Sequence, residues 1–121
     1  MKIEKIDGEF SVCKVKDYSQ VNLRAAFCFT GSTDEEKSLV CLTADVPDNA
    51  ECCDNGWRAL RIKGMLDFSL IGILAQISSL LAGNKIGLFA ISTYNTDYIL
   101  TKKENYAKAL DVLASAGYEI I

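Results

Sequence analysis

The chain has 121 residues, of which 50% are hydrophobic and 24% charged, with a net charge of −3 and no histidine. That length suits one domain or two very small ones, and the composition excludes a disordered chain. The basic residues are scattered rather than gathered into a stripe with aromatics, so nucleic acid is excluded as a partner.

The opening Met1-Lys2-Ile3-Glu4-Lys5-Ile6-Asp7 alternates and is charged, unlike a secretory signal. After the turn signal Asp7-Gly8, Phe10 to Val15 alternates as a strand. Tyr18 to Arg24 leaves room for a turn or two of helix. Ala26 to Thr30 and Leu39 to Leu42 then flank a polar tip, Gly31 to Glu36, as a hairpin. The polar stretch Pro47 to Gly56, with the single proline, reads as a linker.

Trp57 to Lys63 alternates apolar and charged residues and predicts a half-buried strand ending at Gly64. Leu70, Ile73, Leu74, Ile77, Leu80 and Leu81 recur at helical spacing, with Ser69 or Asp67 as cap and Gly83 as terminator. The apolar run from Leu70 to Ala82 is broken by Gln76, Ser78 and Ser79 and is too short to span a bilayer, so no membrane is expected. Ile86 to Tyr94 and Tyr98 to Leu100 predict a second hairpin through Asn95 and Thr96. Thr101-Lys102-Lys103-Glu104 matches a capping box ahead of a helix that buries Tyr106, Ala109, Leu110 and Leu113. Gly117 stops that helix, and Tyr118 to Ile121 is a last strand. The order βαββαβ predicts an α+β, ferredoxin-like unit over residues 57–121, with two helices on a four-stranded antiparallel sheet. Residues 1–56 read as a shortened copy of it.

The chemistry of catalysis is missing. A serine or cysteine nucleophile ordinarily needs a base, and the chain has neither histidine nor a Ser-x-x-Lys or Gly-x-Ser-x-Gly motif. No glycine-rich phosphate loop is present, and the adjacent Cys52-Cys53 lacks zinc-ligand spacing. No enzyme activity, cofactor or metal is therefore expected. The five cysteines read as reduced thiols, with Cys13, Cys28 and Cys41 in strands and Cys52-Cys53 in a polar loop, which points to the cytoplasm.

Two segments can hold a small molecule. The helix start at Asp67-Phe68-Ser69-Leu70-Ile71-Gly72 offers amides for an anion, and Ile91-Ser92-Thr93-Tyr94-Asn95-Thr96-Asp97 offers hydroxyls and a carboxylate for an ammonium. Together they suit a zwitterion. The same residues also serve as ordinary caps and turn formers, and both readings stand on residue chemistry alone.

The stretches Asp67 to Leu74 and Phe89 to Leu100 closely resemble small bacterial proteins of the ACT-domain superfamily. The branch is that of two fused ACT-like units, similar to aspartate kinase regulatory domains and amino-acid sensors. The resemblance runs from Trp57 to Gly117, with a shorter first unit before it, but lacks the widespread Asp-x-Pro-Gly pattern. It implies regulatory binding of an amino acid where two ACT units meet. The implied contacts are Asp67, Ser69, Leu70, Gly72 and Ile73 on one side, and Ile91, Ser92, Thr93, Tyr94 and Asp97 on the other. A regulated enzyme would be reached in trans, and exposed sheet edges favour a homodimer. The rival readings are an assembly module with a vestigial site and, less favoured, a small enzyme.

Overall fold

A computed structural model of the chain describes residues 1–63 and 72–121. Its elements run β1 (Lys2–Val15), β2 (Cys28–Ser32), β3 (Lys37–Leu42), a 3-10 turn (Thr43–Asp45), β4 (Ala50–Lys63), α1 (Ile73–Gly83), β5 (Phe89–Ser92), β6 (Asp97–Lys102), α2 (Lys103–Ser115) and β7 (Glu119–Ile120). This is an α+β chain, consistent with the ferredoxin-like expectation. It divides into two compact units, Gly8–Trp57 and Met1–Asp7 with Arg58–Ile121. The two long strands, β1 and β4, each give a segment to both units.

Two glycines mark those divisions. Gly8 lies in β1 at φ 95 and Gly56 in β4 at φ 82, a left-handed backbone that other residues enter only at a cost. At Gly8 an added Cβ would also sit 2.8 Å from Leu42 Cδ2. Gly8→Ala should therefore destabilise the chain by about 1–3 kcal/mol. Gly31→Ala is the control, because its Cβ meets Ser38 Cβ at an ordinary 3.9 Å. Urea unfolding of the two variants checks this, and equal midpoints would remove the conformational argument.

In the C-terminal unit the strands neighbour one another in the order β5-β6-β4-β1-β7. The expected four-stranded antiparallel sheet is corrected here. The start of β1 lies between β4 and β7, and β7 pairs with it in parallel, Lys2 with Glu119 and Ile3 with Ile120. The reason is patterning: Ile3 and Ile6 are buried core residues, which a charged alternating opening segment supplies as readily as any internal strand. The core joins Ile3 to both helices through Leu60, Ile62, Ile77, Leu81, Ile99, Tyr106, Ala109 and Leu113.

The unit Gly8–Trp57 has its own smaller core of Cys13, Val15, Leu39 and Cys41. Its helices are reduced. Tyr18 to Arg24 forms turns and no helix, and after β3 there is only the 3-10 turn. The two hairpins nevertheless match residue for residue. Ser32 pairs with Lys37 and Ser92 with Asp97, while Phe29 faces Val40 and Phe89 faces Leu100. Each turn closes through a threonine amide, Thr33 N to Glu36 O and Thr93 N to Thr96 O, both at 2.9 Å.

Several local expectations are corrected. Cys52 and Cys53 lie in β4 rather than in a loop, since the strand begins at Ala50, inside the segment read as a linker. The strand expected over Ile86 to Tyr94 is confined to Phe89–Ser92, with Gly87 and Leu88 outside it. Thr101 does not cap α2. The helix starts directly off β6 with Lys102 as N-cap, so Thr101 is fully buried, and its Oγ1 has no hydrogen-bond partner among the described residues. Gly83 is the last residue of α1, whose end is completed by Asn84 and by Lys85 at φ 61.

Candidate functional site

The start of α1 is fixed by Gly72, the N-cap residue, at φ 84. Its carbonyl accepts the first helical bond from Gln76 N at 2.8 Å, and among the described residues no side chain caps the helix. The first turn also has no acidic residue, so the amides there face no carboxylate of their own helix. A Cβ at Gly72 would meet no atom of the described residues within 4 Å. Glycine is favoured at this position by the left-handed backbone conformation.

Gly72 opens onto a groove of about 810 Å³, lined also by Ala75, Gln76, Ser79, Ala116 and Tyr118. The Tyr118 hydroxyl reaches Gln76 Oε1 at 3.5 Å across it. Small residues at Gly72, Ala75 and Ser79 keep one side of α1 low, and that helical spacing is the signal by which sequence could have found the groove. The cores of Ile77 and Leu81 lie on the opposite face of the same helix.

The β5–β6 hairpin places its polar groups by cross-strand pairing. Ser92 sits opposite Asp97, and its Oγ donates to Asp97 Oδ1 at 2.6 Å. Asp97 is half-buried, so this bond fixes the direction in which its carboxylate is presented. Thr93 Oγ1 donates to Thr96 O at 2.9 Å within the turn. Thr96 is buried, and its hydroxyl donates to Ile62 O at 2.8 Å, tying the turn to β4. Tyr94 projects from the tip, 83% exposed. In the matching hairpin of the other unit the residue at Asp97's position is Lys37. Ser32, the residue equivalent to Ser92, therefore faces a lysine where Ser92 faces a carboxylate.

Beside β6, Arg61 donates from Nε to Glu4 Oε1 at 2.9 Å and from Nη1 to the Tyr98 hydroxyl at 3.2 Å. The Arg61 guanidinium holds the Glu4 carboxyl below its ordinary value. These charges are used within the unit.

Of the ten residues singled out from sequence, Asp67, Ser69 and Leu70 lie outside the described residues. Gly72 lines the groove, while Ile73 is half-buried and packs against the core. Ile91 is half-buried; Ser92, Thr93 and Tyr94 are exposed, and the hairpin brings them together with Asp97. Among the described residues no group of three or more cysteine, aspartate or glutamate side chains is placed to hold a metal ion. No helix among them is long and apolar enough to cross a membrane.

Comparison with known proteins agrees with this architecture. The sequence profile of the ACT domain matches residues 53–115, just over half of the chain. A solved structure from Agobacterium tumefaciens is similar over 99% of this chain and 91% of its own, at 28% identity and a TM-score of 0.86. A protein of unknown function from Vibrio cholerae, described as a possible transport protein, is similar over 94% and 88% at 20% identity and a TM-score of 0.70. The aspartate kinase of Clostridium acetobutylicum shares the fold at 13% identity and a TM-score of 0.65, over 94% of this chain and 33% of that one. No curated protein matches the sequence.

Proposed function

The chain belongs to the ACT domain family, and from that premise we propose that it is a non-catalytic regulatory protein that binds an amino acid. In this reading it is a cytoplasmic sensor of two ACT-like units. The ligand is held where ACT units of two chains meet in a homodimer, and a regulated enzyme is reached in trans. The α1 start, with Asp67, Ser69, Leu70, Gly72 and Ile73, receives the α-carboxylate. The hairpin, with Ile91, Ser92, Thr93, Tyr94 and Asp97, receives the α-ammonium. The two matching hairpins support the two-unit reading.

The observation that carries the ligand chemistry is the Ser92–Asp97 pair. The serine hydroxyl occupies one carboxylate oxygen at 2.6 Å and orients the group at the base of an exposed hairpin. A carboxylate accepts at several lone-pair directions, so an ammonium can join without displacing the serine.

Thermal shift of the whole chain against the common amino acids tests the reading, with one of them expected to raise the melting temperature. For that ligand, calorimetry on Asp97→Asn should show roughly ten- to hundredfold weaker binding, since a charge-assisted bond contributes about 1.5–3 kcal/mol. The asparagine oxygen still accepts from Ser92, so the melting temperature of the free variant should hold. Unchanged affinity with a melting point several degrees lower would make Asp97 a turn residue and remove it from the site. If no amino acid stabilises the chain, the assembly-module reading takes over.

A further inference from the structure

The thiols of Cys13 and Cys53 lie 3.1 Å apart, sulfur to sulfur, between the neighbouring strands β1 and β4. A few residues along, Ser11 Oγ donates to Asn55 Oδ1 at 2.6 Å. The numbers rise on one strand as they fall on the other, as antiparallel neighbours require, so Cys13 and Cys53 face each other across the pair. They differ sharply in access. Cys13 is 4% exposed, whereas Cys53 is exposed. Cys52 is no substitute, because successive side chains on a strand point to opposite faces.

We propose that Cys53 and Cys13 form a peroxide-oxidisable thiol pair that closes to a reversible disulfide within the Gly8–Trp57 unit. Cys53 is the point of entry. Its sulfur attacks one oxygen of hydrogen peroxide, an S–O bond forms, the O–O bond breaks, and the departing hydroxide takes up the thiol proton as water. The Cys13 sulfur then attacks the Cys53 sulfenic sulfur. The S–S bond forms, the S–O bond breaks, and the hydroxyl leaves as water with the Cys13 proton. Two thiols give up two electrons, and one peroxide becomes two waters.

The sulfurs need to approach by only about 1 Å to reach bonding distance. Cys13 is buried and so does not itself meet oxidant. Burial and the Cys53 thiol push its pKa up to about 12, so it gives up its proton only as it attacks, to the departing hydroxyl. Its role is to resolve. Cys41, also buried and pushed up to about 11, pairs by register with Ser11 rather than with Cys13.

The test is stoichiometric hydrogen peroxide on the fully reduced chain, read by thiol titration, intact mass and peptide mapping. The expected result is loss of two thiols and two hydrogens, a Cys13–Cys53 link on the map, and full reversal by a dithiol. Cys53→Ser, an exposed change that leaves the core alone, should keep Cys13 reduced under the same treatment. Cys13→Ala should instead leave Cys53 as a sulfenic acid that a dimedone probe captures. Oxidation that stops at Cys53 in the unaltered chain would overturn the proposal. So would a link from Cys53 to any other cysteine or between two chains, or loss of the Cys13 thiol in Cys53→Ser.

Discussion

Leu81→Ala should lower stability by about 2–5 kcal/mol. Leu81 has no exposed surface and packs among Ile77, Ile86, Ile99 and Leu113. Truncation removes the transfer free energy of the lost carbons and leaves a cavity that α1 and the strands beneath it fill only in part. Leu80, its neighbour on the helix, is only partly buried, so Leu80→Ala should cost clearly less. Urea denaturation gives both values. Equal losses would mean that α1 is not held by the face that the structure buries.

Tyr106 separates packing from polarity in the same core. It is 7% exposed, its hydroxyl donates to Ala59 O at 2.9 Å, and the Arg58 guanidinium lies 4.4 Å from its ring centroid. Burial pushes its phenol up, so the group remains a neutral donor. Tyr106→Phe keeps the ring and leaves a buried acceptor without that donor, for an expected cost of about 1–3 kcal/mol. Tyr106→Ala also loses the ring and the cation–π contact, and should cost about 3–5 kcal/mol. A phenylalanine variant as stable as the parent would show that the hydroxyl contributes nothing net.

The hairpins and α2 were legible because their signals are local. Alternation around Ser92 to Asp97 fixes which side chains face each other, and the spacing of Tyr106, Ala109 and Leu113 fixes a buried helical face. The capping box at Thr101 failed for the opposite reason. Whether a threonine caps or enters the core depends on where the preceding strand ends, and β6 runs directly into α2.

Cys52-Cys53 shows the same limit. Polar neighbours read as a loop, yet β4 extends through them to pair with β1, and an exposed strand carries the same residues as a loop.

By itself the sequence determined the α+β class, the two hairpins and the amphipathic helices, because each is written in periodicity. Tertiary structure alone decided that Met1–Asp7 joins the C-terminal unit, that Asp97 is oriented by Ser92, and that Cys13 meets Cys53. The last contact joins residues 40 apart in the chain, and the first brings the opening segment against the last strand. Residues so far apart leave no pattern in any short window. What brings them together is the pairing of long strands, whose backbone bonds are indifferent to the side chains they align.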